Sequence, residues 1–215
     1  MKISPRYNSS VWQELHLTIS SPIEDWKKAI SIFDDRYNYR FIKQIDALRF
    51  NKSIEIAIYS GFAIMSINCL LIETLNQFYY GVNDTYKLKN NKTIKHINSI
   101  KDSFIDFLTN SKYLKGAFDK QSSELFYYHI RCGLLHQAET KMATRIHIEQ
   151  KQKSIVEKIS NGKTITGISI RRDLFTDSLF KEYEDYKKRL LSKSAEKQLQ
   201  KNFIIKMNLI CDDKK

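Results

Sequence analysis

From Ile56 to Ile72 the chain reads IAIYSGFAIMSINCLLI, a run without a single charged residue. Such a run either crosses a membrane or lies at the centre of a folded core. Its length is near the lower limit for a span, it contains Ser60, Ser66 and Asn68, and Glu55 and Glu73 close it at both ends. The core reading is therefore favoured. Gly81 is a good C-terminal cap, so the pattern predicts one buried helix over about residues 53–80. A helix this apolar needs partners, and the composition supplies them as helices. Only 6 Gly and 2 Pro are present, too few for the tight turns of an all-β fold. A chain of 215 residues, 42% of them hydrophobic, can bury a real core as one domain with an appendage or as two small domains.

The other elements follow from local pattern. The alternation of Leu15, Leu17 and Ile19 suggests a short strand. Ser21 and Pro22 open a helix whose first turn holds Glu24 and Asp25. Trp26, Ala29, Ile30, Phe33, Tyr37, Phe41, Ile45 and Leu48 then recur at helical steps to about Arg49, with Asp34-Asp35 as the place for a break. Residues 82–95 read as a Lys- and Asn-rich loop. Ile97, Ile100, Phe104, Phe107 and Leu108 share one face of the next helix, and Asp119, with Ser122 or Ser123 as alternatives, caps the one after. Beyond Thr140 the period changes. Ala143–Glu149, Ser154–Lys158 and Thr164–Arg171 have strand character, and Asn161-Gly162 is a hairpin turn signal. Two amphipathic helices complete the chain, one carrying Leu179, Tyr183 and Tyr186, the other Leu199, Phe203 and Met207. The expected fold is mainly α: an up-and-down helical bundle over residues 1–140, then a basic appended module over 141–215 made of a β-hairpin and two helices.

The formal net charge is +12, which favours an anionic partner: nucleic acid, an acidic protein or an anionic membrane. Residues 141–215 hold 18 Lys and Arg against 10 Asp and Glu, so +8 of the +12 lies there. Within it Lys187-Lys188-Arg189 reads as a solvated helix face, with RNA contact as the second reading. Cys69, Cys132 and Cys211 are odd in number and far apart, which is no disulfide framework and fits a reducing cytoplasm. The N-terminus lacks the apolar core of a signal peptide. There is no Walker loop, Gly-x-Ser-x-Gly elbow or HExxH, and Cys132 with His136 lacks the second pair a zinc site needs. No metal and no cofactor is expected.

The segment ELFYYHIRCGLLHQAETK, Glu124 to Lys141, carries the chemistry. Arg131 and His136 have four residues between them, and an Arg followed by a His after four to six residues is a pattern that chance alone gives about 0.6 times in a chain with this many Arg and His. Context adds weight. Phe126, Ile130, Gly133 and Leu134 form a buried stripe, and Arg131 and His136 flank it on opposite sides. On a straight helix the two diverge by about 140°, so joining them requires a second chain or a distorted helix end. Gly133 allows close approach, as at a symmetric dimer seam. Upstream, Glu73 interrupts LLIETLNQF with Asn68, Ile72, Asn76 and Tyr79 nearby on the helix. It is either a solvent-facing carboxylate or a site residue that orients Arg131.

These residues resemble the HEPN superfamily, in its defence- and toxin-associated members. RCGLLHQAET with the preceding FYYHI resembles that family's Arg-x4–6-His motif, and CLLIETLNQFYYG resembles an earlier core helix. The resemblance spans about residues 22–140. It implies a four- or five-helix bundle, a homodimer and metal-independent endoribonuclease activity, with Arg131 and His136 catalytic and RNA as substrate. Glu73, Cys132 and Gln137 are supporting candidates. Many relatives have a polar residue directly after the Arg, where this chain has Cys132. The nucleotidylated antitoxin-type variant has a Tyr two residues after the His, where this chain has Ala138. An enzyme of this kind needs restraint, so an antitoxin or sensor protein is a further expected partner. The alternatives are a catalytically inactive RNA- or protein-binding module of the same fold, and an interaction protein using residues 56–72 at a membrane.

Overall fold

The computed structural model describes residues 1–83, 99–148, 154–192 and 196–212. The chain is mainly helical, with a small three-stranded sheet after the Arg-x4-His segment and two helices after the sheet. Expectations for residues 84–95, Ile97 and Glu149 fall outside the described residues.

The predicted N-terminal strand does not form. Residues 9–13 make a short helix, α1, and the chain then turns through His16 at φ 42°. Leu17 is buried, but among the described residues no neighbouring strand supplies the hydrogen bonds that alternation alone cannot. α2 (Ile23–Tyr37) continues through a π-helical turn (Asn38–Ile42) into α3 (Lys43–Arg49). It does not break at Asp34-Asp35, because both carboxylates find partners. Asp34 accepts from the Tyr183 hydroxyl at 2.9 Å and pairs with Lys187 at 2.5 Å. Asp35 accepts from Arg6 Nε at 2.6 Å and from its backbone N–H at 2.9 Å.

The uncharged run divides in two. α4 (Ile54–Tyr59) ends at Ser60, and α5 (Gly61–Tyr80) begins at once. The break is held by buried Arg172, whose Nη1 donates to the Ala57 carbonyl at 2.8 Å. α4 buries none of its residues; Ile54, Ile56, Ile58 and Tyr59 are exposed, and so is Phe62 at the start of α5. The expected central helix is therefore α5 from about Ile64 onward, with Ile64, Met65, Cys69, Leu71, Ile72, Leu75 and Phe78 buried. Among the described residues no helix is long and apolar enough to cross a membrane. Gly81, at φ 65°, caps α5 as expected. A Cβ there would lie 2.9 Å from the Asn202 Cα, so only glycine fits the approach.

α6 (Ile100–Asn110) leads through turns to Asp119, which caps α7 (Lys120–Leu125) in a capping box with Ser122. α7 runs without interruption through a second π-helical turn (Phe126–Arg131) into α8 (Cys132–Gln137). The strands β1 (Arg145–His147), β2 (Val156–Asn161) and β3 (Thr164–Arg171) form a sheet in the order β1-β3-β2. β2 and β3 are the hairpin that Asn161-Gly162 announced, with Gly162 at φ 60°, and β1 lies parallel to β3. β3 passes directly into α9 (Arg172–Leu191), and α10 (Lys197–Cys211) follows.

One apolar cluster extends from Ile3 to Cys211 and draws on both sides of residue 140. Phe33 of α2 sits at its centre, 4.9 Å from the Phe78 ring of α5, 5.5 Å from Tyr183 of α9 and 5.6 Å from Phe203 of α10. α5 is the shared element, touching α6, α9, α10 and the π turn before α8. This central position is what presents Glu73 to the Arg131 helix.

Candidate functional site

The expected buried stripe is present: Phe126 and Ile130 are fully buried, and Gly133 and Leu134 nearly so. The close approach at Gly133 has a different origin from the one expected. The chain turns back after α8, and a Cβ at Gly133 would lie under 3.0 Å from the carbonyl oxygen of Glu139. The space is filled by the protein's own backbone, not kept open for a second copy. That return segment is closely tied. Ala138 caps α8 in the left-handed region, at φ 55°. The Lys141 N–H donates to the His129 carbonyl at 3.0 Å, and the Thr140 hydroxyl donates to the Thr144 carbonyl at 2.9 Å. His129 Nδ1 meets the Thr144 hydroxyl at 2.9 Å, and the same oxygen accepts from the Ile168 N–H of β3 at 3.2 Å. His129 thus links the motif helix to the sheet. Burial, and then the charge of Lys141, lowers its pKa.

Arg131 and Glu73 are brought together. Arg131 Nη2 donates to Glu73 Oε2 at 3.4 Å, with side chains only 15% and 21% exposed. The guanidinium carbon lies 5.7 Å from the Tyr127 ring centroid, one turn back on the same helix. Arg131 Nε is buried without a hydrogen-bond partner. Burial works against the Arg131 charge, but the Glu73 carboxylate and then Tyr127 outweigh it, and the pKa rises. Burial also pushes the Tyr127 hydroxyl up to about 12, with Cys132 adding to the rise. Cys69, one turn before Glu73, is buried, and burial raises its thiol pKa far above the usual range. These groups form a half-buried arginine site: a cation fixed by one carboxylate, lying over an aromatic ring, with two thiols nearby.

His136 is not part of it. It lies on the exposed side of α8 and bonds to none of the described residues. Gln137 is exposed in the same way. The helical distortion ends at Arg131 rather than lying between Arg131 and His136, because Cys132–Gln137 is ordinary α-helix. The divergence of about 140° therefore persists within one chain. Between the two, Tyr128, Cys132 and Leu135 follow one another at i, i+4 and i+7, with Tyr128 49% and Leu135 39% exposed.

The neighbours of Glu73 on α5 face elsewhere. Asn68 donates to the Thr176 hydroxyl at 2.8 Å, Asn76 to the Ser103 carbonyl at 2.8 Å, and the Tyr79 hydroxyl to Glu182 at 2.9 Å. The Lys187-Lys188-Arg189 run is not a free basic strip. Lys187 pairs with Asp34 and, at 2.7 Å, with Glu184; Arg189 pairs with Glu196 at 2.7 Å. Lys188 is exposed and pairs with none of the described residues. No group of three or more His, Cys, Asp or Glu is arranged to hold a metal among the described residues. The Tyr127 contact was legible from its four-residue spacing to Arg131, whereas the His129–Thr144 link depends on a chain reversal no local pattern announces.

The fold and site together define a mainly helical protein with a carboxylate-positioned arginine on a π-distorted helix. Comparison of the chain with family models, with curated proteins and with solved structures finds no match.

Proposed function

We propose that the protein is a metal-independent endoribonuclease of HEPN type, built on that family's helical bundle and working as a homodimer. The observation that carries the reading is the Glu73–Arg131 pair. Two segments that resemble the family separately, CLLIETLNQFYYG and RCGLLHQAET, meet through these two side chains. A carboxylate on one edge of a guanidinium fixes its plane and leaves the other edge for a phosphate. Arg131 holds the scissile phosphate and stabilises the negative charge that grows on its oxygens in the transition state. Glu73 is a positioning residue.

RNA supplies its own nucleophile, so no metal is needed. His136 takes the proton from a ribose 2′-hydroxyl, whose oxygen attacks the adjacent phosphorus. The 5′-oxygen leaves and takes a proton from His136 of the partner subunit. The products are a 2′,3′-cyclic phosphate and a 5′-hydroxyl. The divergence of Arg131 and His136 is the reason for a dimer, and the Tyr128–Cys132–Leu135 stripe between them offers an exposed apolar seam for it. The resemblance further suggests a toxin or effector of a prokaryotic defence system, restrained by an antitoxin or sensor protein. RNA incubated with the full chain in EDTA should yield fragments with 2′,3′-cyclic phosphate ends, and the same sequence as DNA should stay intact. Fragments with 3′-hydroxyl ends, or cleavage only after a divalent ion is restored, would overturn the reading.

A second reading has its own observation. Arg131 is 15% exposed and already paired, as a structural arginine would be. On that reading the chain is a catalytically inactive binding module, and Arg131→Ala lowers stability with no RNA cleavage to lose.

A further inference from the structure

α4 is strongly apolar yet buries none of its residues. Ile54 is 74% exposed and Tyr59 82%, with Ile56 and Ile58 exposed between them. Phe50, which ends α3, is 72% exposed, and Phe62 at the start of α5 is exposed as well. Phe50, Ile54, Ile58 and Phe62 follow one another at four-residue steps. On a regular helix Ile54, Ile58, Glu55 and Tyr59 fall within an arc of about 140°, and Ala57, the one residue of α4 that is not exposed, lies outside it. The helix is nevertheless firmly held. Ser53 caps it by accepting from the Ile56 N–H at 3.4 Å, and buried Arg172 donates to the Ala57 carbonyl at 2.8 Å. Asp173 holds that guanidinium through Nε at 2.9 Å and pairs with Arg49, next to Phe50, at 3.2 Å. A buried arginine and its ion pairs thus fix a helix that contributes nothing to the apolar core.

The size of the patch indicates what covers it. Aromatic side chains carry roughly 150–250 Å² each, so Phe50, Tyr59 and Phe62 leave about 400 Å² in water, and Ile54 with Ile58 bring the total to about 500–600 Å². That is the upper end of what a monomer exposes in one apolar patch, roughly 300–600 Å². A stable interface takes about 800 Å² from each partner, somewhat over half of it apolar. This patch supplies that share.

Its charges fit a second copy. Lys52 and Glu55 are exposed and pair with none of the described residues. In a twofold contact each pair of residues occurs twice, so two α4 helices laid antiparallel bring Lys52 of each chain toward Glu55 of the other. An anionic membrane would instead meet the Glu55 carboxylate on the apolar arc. We infer that α4, with Phe50 and Phe62, is a self-association surface that docks on the same surface of a second copy of this chain, Lys52 meeting Glu55 of the partner subunit. The surface is distinct from the Tyr128–Cys132–Leu135 stripe and does not depend on the ribonuclease reading.

Sedimentation equilibrium of the full chain carrying Leu135→Glu, which disables that stripe, tests this, with each variant shown to be folded by circular dichroism. The chain should still dimerise at about 100 µM or below. Tyr59→Ala in the same background should weaken the dimer by about tenfold or more. Lys52→Glu and Glu55→Lys should each weaken it, because each sets like charges opposite one another, and an equimolar mixture of the two should associate again as a heterodimer. A Leu135→Glu chain that stays monomeric would overturn the inference. So would a dimer that Tyr59→Ala leaves unmoved, or a mixture of the two charge variants that stays monomeric. Binding to phosphatidylglycerol vesicles that Tyr59→Ala abolishes, with the mass in solution that of one chain, would overturn it in favour of a membrane.

Discussion

Replacing Gly133 by alanine separates two accounts of why that residue is glycine. By helix propensity alone, Gly→Ala within a continuous helix stabilises by about 1 kcal/mol. The surroundings reverse the sign. The new Cβ would meet the Glu139 carbonyl oxygen under 3.0 Å, with the Lys141 Cγ at 3.4 Å and the Glu139 carbonyl carbon at 3.5 Å. A comfortable contact is about 3.5–4.0 Å, so the returning backbone must retreat by about half an ångström or more. Overpacking of this kind costs about 1–3 kcal/mol. The retreat also sacrifices the Glu139 N–H to Gly133 carbonyl bond, 3.4 Å long, and strains the Lys141 N–H to His129 carbonyl bond, 3.0 Å, at about 1 kcal/mol. Against the propensity gain, the net is a loss of about 1–3 kcal/mol. In a chain of this size that lowers the melting temperature by roughly 3–10 °C, readable by circular dichroism or calorimetry. A melting temperature that rises in Gly133→Ala would refute the reasoning. It would mean that the segment after α8 does not lie against Gly133 and that the notch is open.

Further outcomes follow from the same segment and from the arginine site. Ala138 occupies the left-handed region, where a Cβ is unfavourable, so Ala138→Gly should stabilise by about 0.5–1 kcal/mol in denaturant unfolding. His129 has a pKa held below the unfolded value of about 6.5, first by burial and then by Lys141. Its unfolded form takes up a proton first as pH falls. Its contribution to stability is therefore full above about pH 6.5 and lost as pH drops through the folded pKa, and His129→Gln should flatten that part of the stability–pH curve. Glu73→Gln keeps a hydrogen-bond acceptor but removes the charge opposite Arg131. Stability should change by no more than about 1 kcal/mol, and RNA cleavage should fall by roughly ten- to a hundredfold as the guanidinium loses its fixed plane.

The elements that declared themselves in sequence are those set by local chemistry. Asp119 with Ser122 capped α7, Gly81 ended α5, and Asn161-Gly162 turned the hairpin, each through hydrogen bonds or backbone freedom confined to a few residues. Leu15, Leu17 and Ile19 misled because alternation describes one face of a strand and says nothing of a neighbour to pair with. The uncharged run misled in part. Its apolar character is shared by α4, which is exposed, and α5, which is buried, and the division at Ser60 depends on Arg172 more than a hundred residues away. At the site, the helical period placed Arg131 and His136 on either side of the buried stripe, but did not tell that Arg131 is half-buried while His136 is exposed. That Glu73 reaches it depends on how α5 crosses the motif helix, and sequence left both readings of Glu73 open. The acids that engage Lys187 and Arg189 include Asp34, 153 positions from Lys187, so their charge looked free when it was not. The π turns at 38–42 and 126–131 leave no mark in a hydrophobic pattern.

The central claim is that Arg131 and His136 cleave RNA without a metal. The most direct test is the rate of RNA cleavage in EDTA by the wild-type chain, by Arg131→Ala and by His136→Ala, each shown to be folded by circular dichroism. The account predicts cleavage by the wild type and loss of at least about a hundredfold in each variant. Cleavage that persists in both folded variants, or a wild type inert toward RNA, would contradict it.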